Sequence, residues 1–211
     1  MAIYRTVLQN GEGVYEEKKS VFYGACFPVK SEEEALRFRE AEKRRYPDAR
    51  HHVYAYILTE GNLLRYSDDR EPQGTAGMPI LDLLRKSGIT DVLMVVTRYF
   101  GGTLLGTGGL VRAYTAAAKE ALSAAGIAEG KQMTVFSLRL SYSDHPRVQP
   151  LLSGNVTVNG VEYAEGVEVC GMIPSEEYDA FEKKLGDATA GRACSTIIKD
   201  EMILVPILNT D

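Results

Sequence analysis

His51 and His52, with Asp68, Asp69 and Glu71 a short distance on, are the densest gathering in this chain of groups able to hold a metal or move a proton. Imidazole and carboxylate suit several divalent ions. Successive side chains of a strand point to opposite faces, however, so only one of two adjacent histidines can join such a site. No metal site is expected, and the plain alternative is a solvated turn beside one packed histidine. Adjacent carboxylates with no nucleophile nearby read first as a turn or helix cap. If the chain is an enzyme, His51 and Asp69 are its candidate acid and base.

The second candidate is TRYFGGTLLGTGGLVRAY, residues 97–114, which packs five glycines, Gly101, Gly102, Gly106, Gly108 and Gly109, into nine positions. Glycine admits positive φ and close backbone approach, so this density serves either a tight turn or a cradle of N–H donors. The apolar run VLMVV (residues 92–96) predicts a buried strand before it, and the alanine-rich residues 110–125 predict a helix ended by Gly126. Strand, loop and helix N-terminus together aim unpaired amides and a positive dipole end at one spot, where a phosphate or other anion is expected. A Walker loop would need lysine after Gly106, where Thr107 and Gly108 stand, and a dinucleotide fingerprint would need glycine at Val111, so no nucleotide cofactor is implied. Arg98 and Arg112 bracket the loop and suit a phosphate partner. Tyr99 and Phe100 offer faces for base stacking, with one ring expected inside and one partly out.

These groups need elements to hold them. Residues 20–28 read as a strand, and Ser31 with Glu34 opens a helix that Pro47 closes. Residues 51–59 and 63–67 predict a hairpin, followed by the polar loop SDDREPQGTAGM (residues 67–78) and a short helix ended by Gly88. From residue 134 the order is strand, helix, strand, strand, helix, strand, with Asp144 and Ser175 as helix caps and Gly186 just past the last helix. That order fits a split βαβ sandwich. The division predicts two domains, residues 1–132 and 133–211, in the α+β class.

Net charge is −5, and residues 134–211 carry six Lys and Arg against twelve Asp and Glu, so the acidity belongs to the second part. A protein partner suits that part better than nucleic acid. No run approaches a membrane span and no secretory signal precedes residue 14, so a cytosolic protein is expected. Cys26, Cys170 and Cys194 form no CxxC pair and read as reduced and mostly buried.

The run Gly77, Ile80, Leu81, Leu84, Ile89, Val95, Val96, Arg98, Tyr99, Phe100, Gly101, Gly102, Leu105, Gly106 resembles the signature of the IMPACT/YigZ family. The likeness extends through Ser20, Phe22, Gly24, ARHHVYAY (residues 49–56) and residues 67–77, and into a second part of the bacterial type. It implies an N-terminal domain like the second domain of ribosomal protein S5, an α/β sandwich, followed by a ferredoxin-like domain of the kind found in translocation factors. It further implies work in translation: the eukaryotic member competes for a scaffold that activates the kinase sensing uncharged tRNA. Bacterial relatives commonly have Cys where Val53 stands, which excludes a catalytic thiol there. They commonly have Gly where Arg70 stands, from which the DDREP turn is expected not to need positive φ at Arg70.

Three functions follow as expectations. The first is a non-enzymatic protein binding RNA, the ribosome or a translation-factor partner through Asp68, Asp69, Glu71, Arg98, Tyr99, Gly101, Gly102, Gly106, Thr107, Gly108, Gly109 and Arg112. The second is a small hydrolase or transferase that uses the glycine loop for phosphate with His51 and Asp69. The third is an adaptor acting through the acidic second domain.

Overall fold

The computed structural model describes residues 4–207, which form two compact units, residues 4–129 with 204–207 and residues 130–203. Among the described residues ten strands in two antiparallel sheets and five α-helices make a mixed α/β fold. No helix among the described residues is long and apolar enough to cross a membrane.

The first unit is built on a sheet of β2 (Gly11–Glu17), β3 (Ser20–Pro28), β6 (Val92–Tyr99), β4 (His51–Leu58) and β5 (Leu63–Ser67), in that spatial order. Strand parity sorts its residues between two cores. Phe22, Cys26, Val53, Ala55, Met94 and Val96 face α2 (Gly77–Lys86) and α3 (Gly106–Ala125). Ala25, Phe27, Tyr56, Leu58, Leu93 and Val95 face α1 (Glu32–Arg45). A methyl group on Gly13 or Gly24 would lie 2.4 or 2.5 Å from α3, so the alanine-rich helix rests directly on bare strand backbone. Ser31 caps α1 by accepting from the Glu34 amide, as its sequence predicts. β1 (Arg5–Val7) pairs with the first residues of β7 (Ile127–Leu140).

In the second unit β7 pairs with β9 (Val167–Pro174), β9 with β8 (Thr157–Tyr163), and β10 (Ser195–Pro206) with β7, giving the order β10-β7-β9-β8. α4 (His145–Leu152) and α5 (Tyr178–Thr189) pack over Phe136, Leu138, Val169 and Ile173 through Val148, Leu152, Phe181 and Leu185.

Several local expectations need correction. β1 and β2 were not legible, and α3 begins at Gly106 rather than residue 110 because Gly108 and Gly109 join the helix before the alanines begin. Ser175 does not cap α5: it opens a short 3-10 turn, and its hydroxyl accepts from Thr134. Nor does Asp144 cap α4 with its side chain, which binds Arg192 and Ser141 instead; the Arg192 guanidinium holds that carboxyl down at about 2. α5 runs past Gly186 to Ala190 in the left-handed region. Of the cysteines only Cys26 is buried, and burial pushes its thiol up to about 12; Cys170 is half-buried and Cys194 exposed.

Candidate functional site

The polar loop after β5 is closed by its own first carboxylate. Asp68 accepts hydrogen bonds from the amides of Gly74, Ala76 and Gly77, at 2.9, 3.1 and 2.8 Å. The last two belong to the start of α2, so Asp68 supplies the cap that the helix lacks at its own N-terminus. Asp69 and Arg70 then reverse the chain at φ of 41° and 72°. Positive φ at Arg70 overturns the expectation drawn from its substitution for glycine: the turn does need the left-handed conformation, and an arginine holds it at a steric cost.

This reversal drives Glu71 inward. Its carboxylate accepts from Arg98 at 2.7 Å and from the Tyr114 hydroxyl at 2.8 Å, with both charged side chains almost wholly buried. Burial and, after it, the Glu71 carboxylate push the Tyr114 hydroxyl far up from its ordinary range, so it stays a donor. Glu71 and Arg98 are therefore removed from the set of solvent-facing binding residues, because each already neutralises the other. The Arg98 guanidinium lies between two rings, 5.4 Å from the centroid of Phe22 and 5.5 Å from that of Phe100.

The histidines diverge as strand geometry requires. His51 donates from Nδ1 to the carbonyl of Asp69 at 2.9 Å, which fixes its neutral tautomer and leaves Nε2 as the acceptor, 3.9 Å from Glu71. His52, on the other face, donates from Nε2 to the carbonyl of Tyr46, and burial lowers its pKa. The Asp69 carboxylate accepts from the His52 amide at 2.7 Å. Asp69 is thus no acid–base partner of His51; it orients that ring through its main chain. Among the described residues no His, Cys, Asp and Glu cluster has metal-binding geometry.

Within the glycine loop the amides fall into two groups. Gly101 donates to the Ser20 hydroxyl at 3.1 Å, and a methyl there would lie 2.0 Å from the carbonyl carbon of Lys19. Gly109 is buried, its Cβ position 3.0 Å from Leu105. Gly102 and Gly106 take φ of 84° and 71° and face open space. Gly106, Thr107 and Gly108 are exposed, and no side chain caps this end of α3.

The two loops meet in one cleft of about 380 Å³. Arg70, Glu71 and Pro72 form one wall, Leu104 to Thr107 and Leu110 the other, with Arg50 and His51 at the start of β4 and Arg98 and Phe100 at the end of β6. Arg50 and Arg70 are exposed, and the ion pairs of this region, Arg98–Glu71 and His51–Glu71, do not include them. Neither stands among the residues that the sequence singles out for binding. Asp68 and Asp69 are not among the residues that line the cleft; their carboxylates are taken up by main-chain amides. Tyr99 also leaves it, since it follows Arg98 on the strand and packs on the opposite face with Tyr23 and Tyr46. Arg112 lies one turn along α3 beside Gly108, outside the cleft lining.

Two family models match the chain: the Impact N-terminal domain over residues 18–122, and a domain of unknown function (DUF1949) over residues 138–192. The chain is 34% identical to the IMPACT family member YvyE of Bacillus subtilis over 192 residues, covering 90% of this chain and 88% of the relative. It is 35% identical to the IMPACT family member YigZ of Escherichia coli, covering 84% and 89%. The Protein IMPACT homolog of Dictyostelium discoideum matches 43% of this chain at 39% identity, and 27% of its own length. A crystal structure described only as that of a hypothetical protein superposes over 99% of both chains, with a TM-score of 0.59 and 31% identity. With its first domain, its second domain and relatives of nearly equal length all in agreement, the chain belongs to the IMPACT family.

Proposed function

We propose that this chain is a non-enzymatic, cytosolic binding protein of the translation apparatus, and that its first unit takes RNA in the cleft between the glycine loop and the DDREP loop. One observation carries the reading: Arg50, Arg70 and the uncapped start of α3 converge on a single cleft although they come from three separate segments. Guanidinium groups and helix-end amides share a preference for phosphate. The strand order β10-β7-β9-β8 supports a ferredoxin-like second domain, and a likeness of the first unit to ribosomal protein S5 would place it beside RNA as well. Filter binding of ribosomal RNA and tRNA over a salt series tests this. Affinity should fall steeply as salt rises, and the double variant Arg50→Ala/Arg70→Ala should flatten that slope by about 0.7 for each lost single-strand phosphate contact. Undetectable binding at low salt removes the proposal.

One observation favours a second reading, a phosphoryl or acyl hydrolase. The carbonyl of Asp69 presets His51 Nε2 as a proton acceptor at the cleft. Turnover of a phosphoester and ester panel, abolished by His51→Ala, would establish it; a silent panel retires it.

A further inference from the structure

We infer that the unit taken by this cleft is one unpaired nucleotide, its base laid on Phe100 and its phosphate held by Arg50, Arg70 and the amides at the start of α3; this rests on reading the cleft as an RNA site. The lining of the cleft is of two kinds. Part of it is polar, the two arginines and the exposed backbone of Gly106 and Thr107, and part is apolar, Phe100 and Leu104, which are 52% and 83% exposed and belong to neither core of this unit. A bare phosphate would leave the apolar lining idle. A duplex would leave it idle too, because paired bases keep their faces inside the stack and an A-form helix offers proteins mainly sugars and phosphates.

Phe100 is also held in place. Arg98 backs its ring at 5.5 Å, Glu71 fixes Arg98, and Tyr114 fixes Glu71, so the ring rests on a buried support while more than half of its surface meets solvent. An aromatic side chain held in this way has already lost the rotamer freedom that stacking would otherwise remove. A cleft of about 380 Å³ sits at the small end of ligand sites, which suits one base with its phosphate and excludes a longer stacked run.

The test compares a labelled RNA of about ten nucleotides with the same sequence in a blunt duplex, by fluorescence anisotropy on the full-length protein at matched salt. The single strand should bind on the order of tenfold more tightly. Phe100→Leu should lose about that factor on the single strand, leave the duplex unchanged and keep the salt slope, with an unaltered melting temperature as the check on folding. Equal or tighter duplex binding overturns the inference, as does a Phe100→Leu variant that binds single strands like the parent, and both outcomes leave RNA binding itself standing. Failure of the unsubstituted protein to bind either RNA removes this inference together with the reading beneath it.

Discussion

Gly101 and Gly108 belong to one loop and are glycine for opposite reasons. Gly101 is pressed against the backbone of Lys19 and donates to Ser20, so its lack of a side chain serves packing. Gly108 has nothing nearer its Cβ position than Arg112 Nη1 at 3.6 Å, has ordinary φ and lies in solvent, so packing does not account for it. The same contrast separates the two kinds of arginine beside the loop. Arg98 is sealed against Glu71, whereas Arg50 and Arg70 stand in water. Glycine density and flanking arginines are therefore two signals superposed, one for closing the fold and one for leaving a surface open.

The largest effect should come from breaking the closed side. Glu71→Gln leaves the Arg98 charge buried without its counter-ion and should cost about 3–5 kcal/mol in urea unfolding, while Arg50→Ala and Arg70→Ala stay within about 0.5 kcal/mol. Comparable losses at all three positions would erase the distinction. The glycine pair gives the next test. Gly101→Ala forces backbone apart and should cost roughly 1–3 kcal/mol, whereas Gly108→Ala should gain up to about 1 kcal/mol from helix propensity. Thermal melts of the two variants moving in the same direction would contradict the assignment. The smallest effect sharpens the comparison: Arg70→Gly relieves the left-handed conformation and should raise stability by roughly 0.5 kcal/mol, yet lower the salt dependence of RNA binding by about 0.7. Those two quantities, read by melting and by salt titration, should move oppositely.

Most of this architecture was legible because periodicity and punctuation agreed. The VLMVV run is the central strand, Ser31 caps α1, Gly126 ends α3, and the hairpin of β4 and β5 lies where its alternation puts it. β2 was missed because GEGVYEE pairs glycine with charge and has little strand propensity; its glycines are there to admit α3. At the site, the meeting of the two loops could not be read from either alone, since it depends on the antiparallel register that sets His51 opposite Arg98. The burial of Glu71 was hidden for a related reason. A carboxylate in a polar loop reads as solvated until the turn that carries it inward is seen, and that turn runs through two residues whose φ no composition would suggest.

Asp69 carries one more implication. Its carbonyl steers a ring on one side of the sheet while its carboxylate grips a main-chain amide whose own ring lies on the reverse side, so one left-handed residue acts as a rivet driven through the layer. The two histidines, one beside the cleft and one against Tyr46 on the underside, thus share a common anchor point.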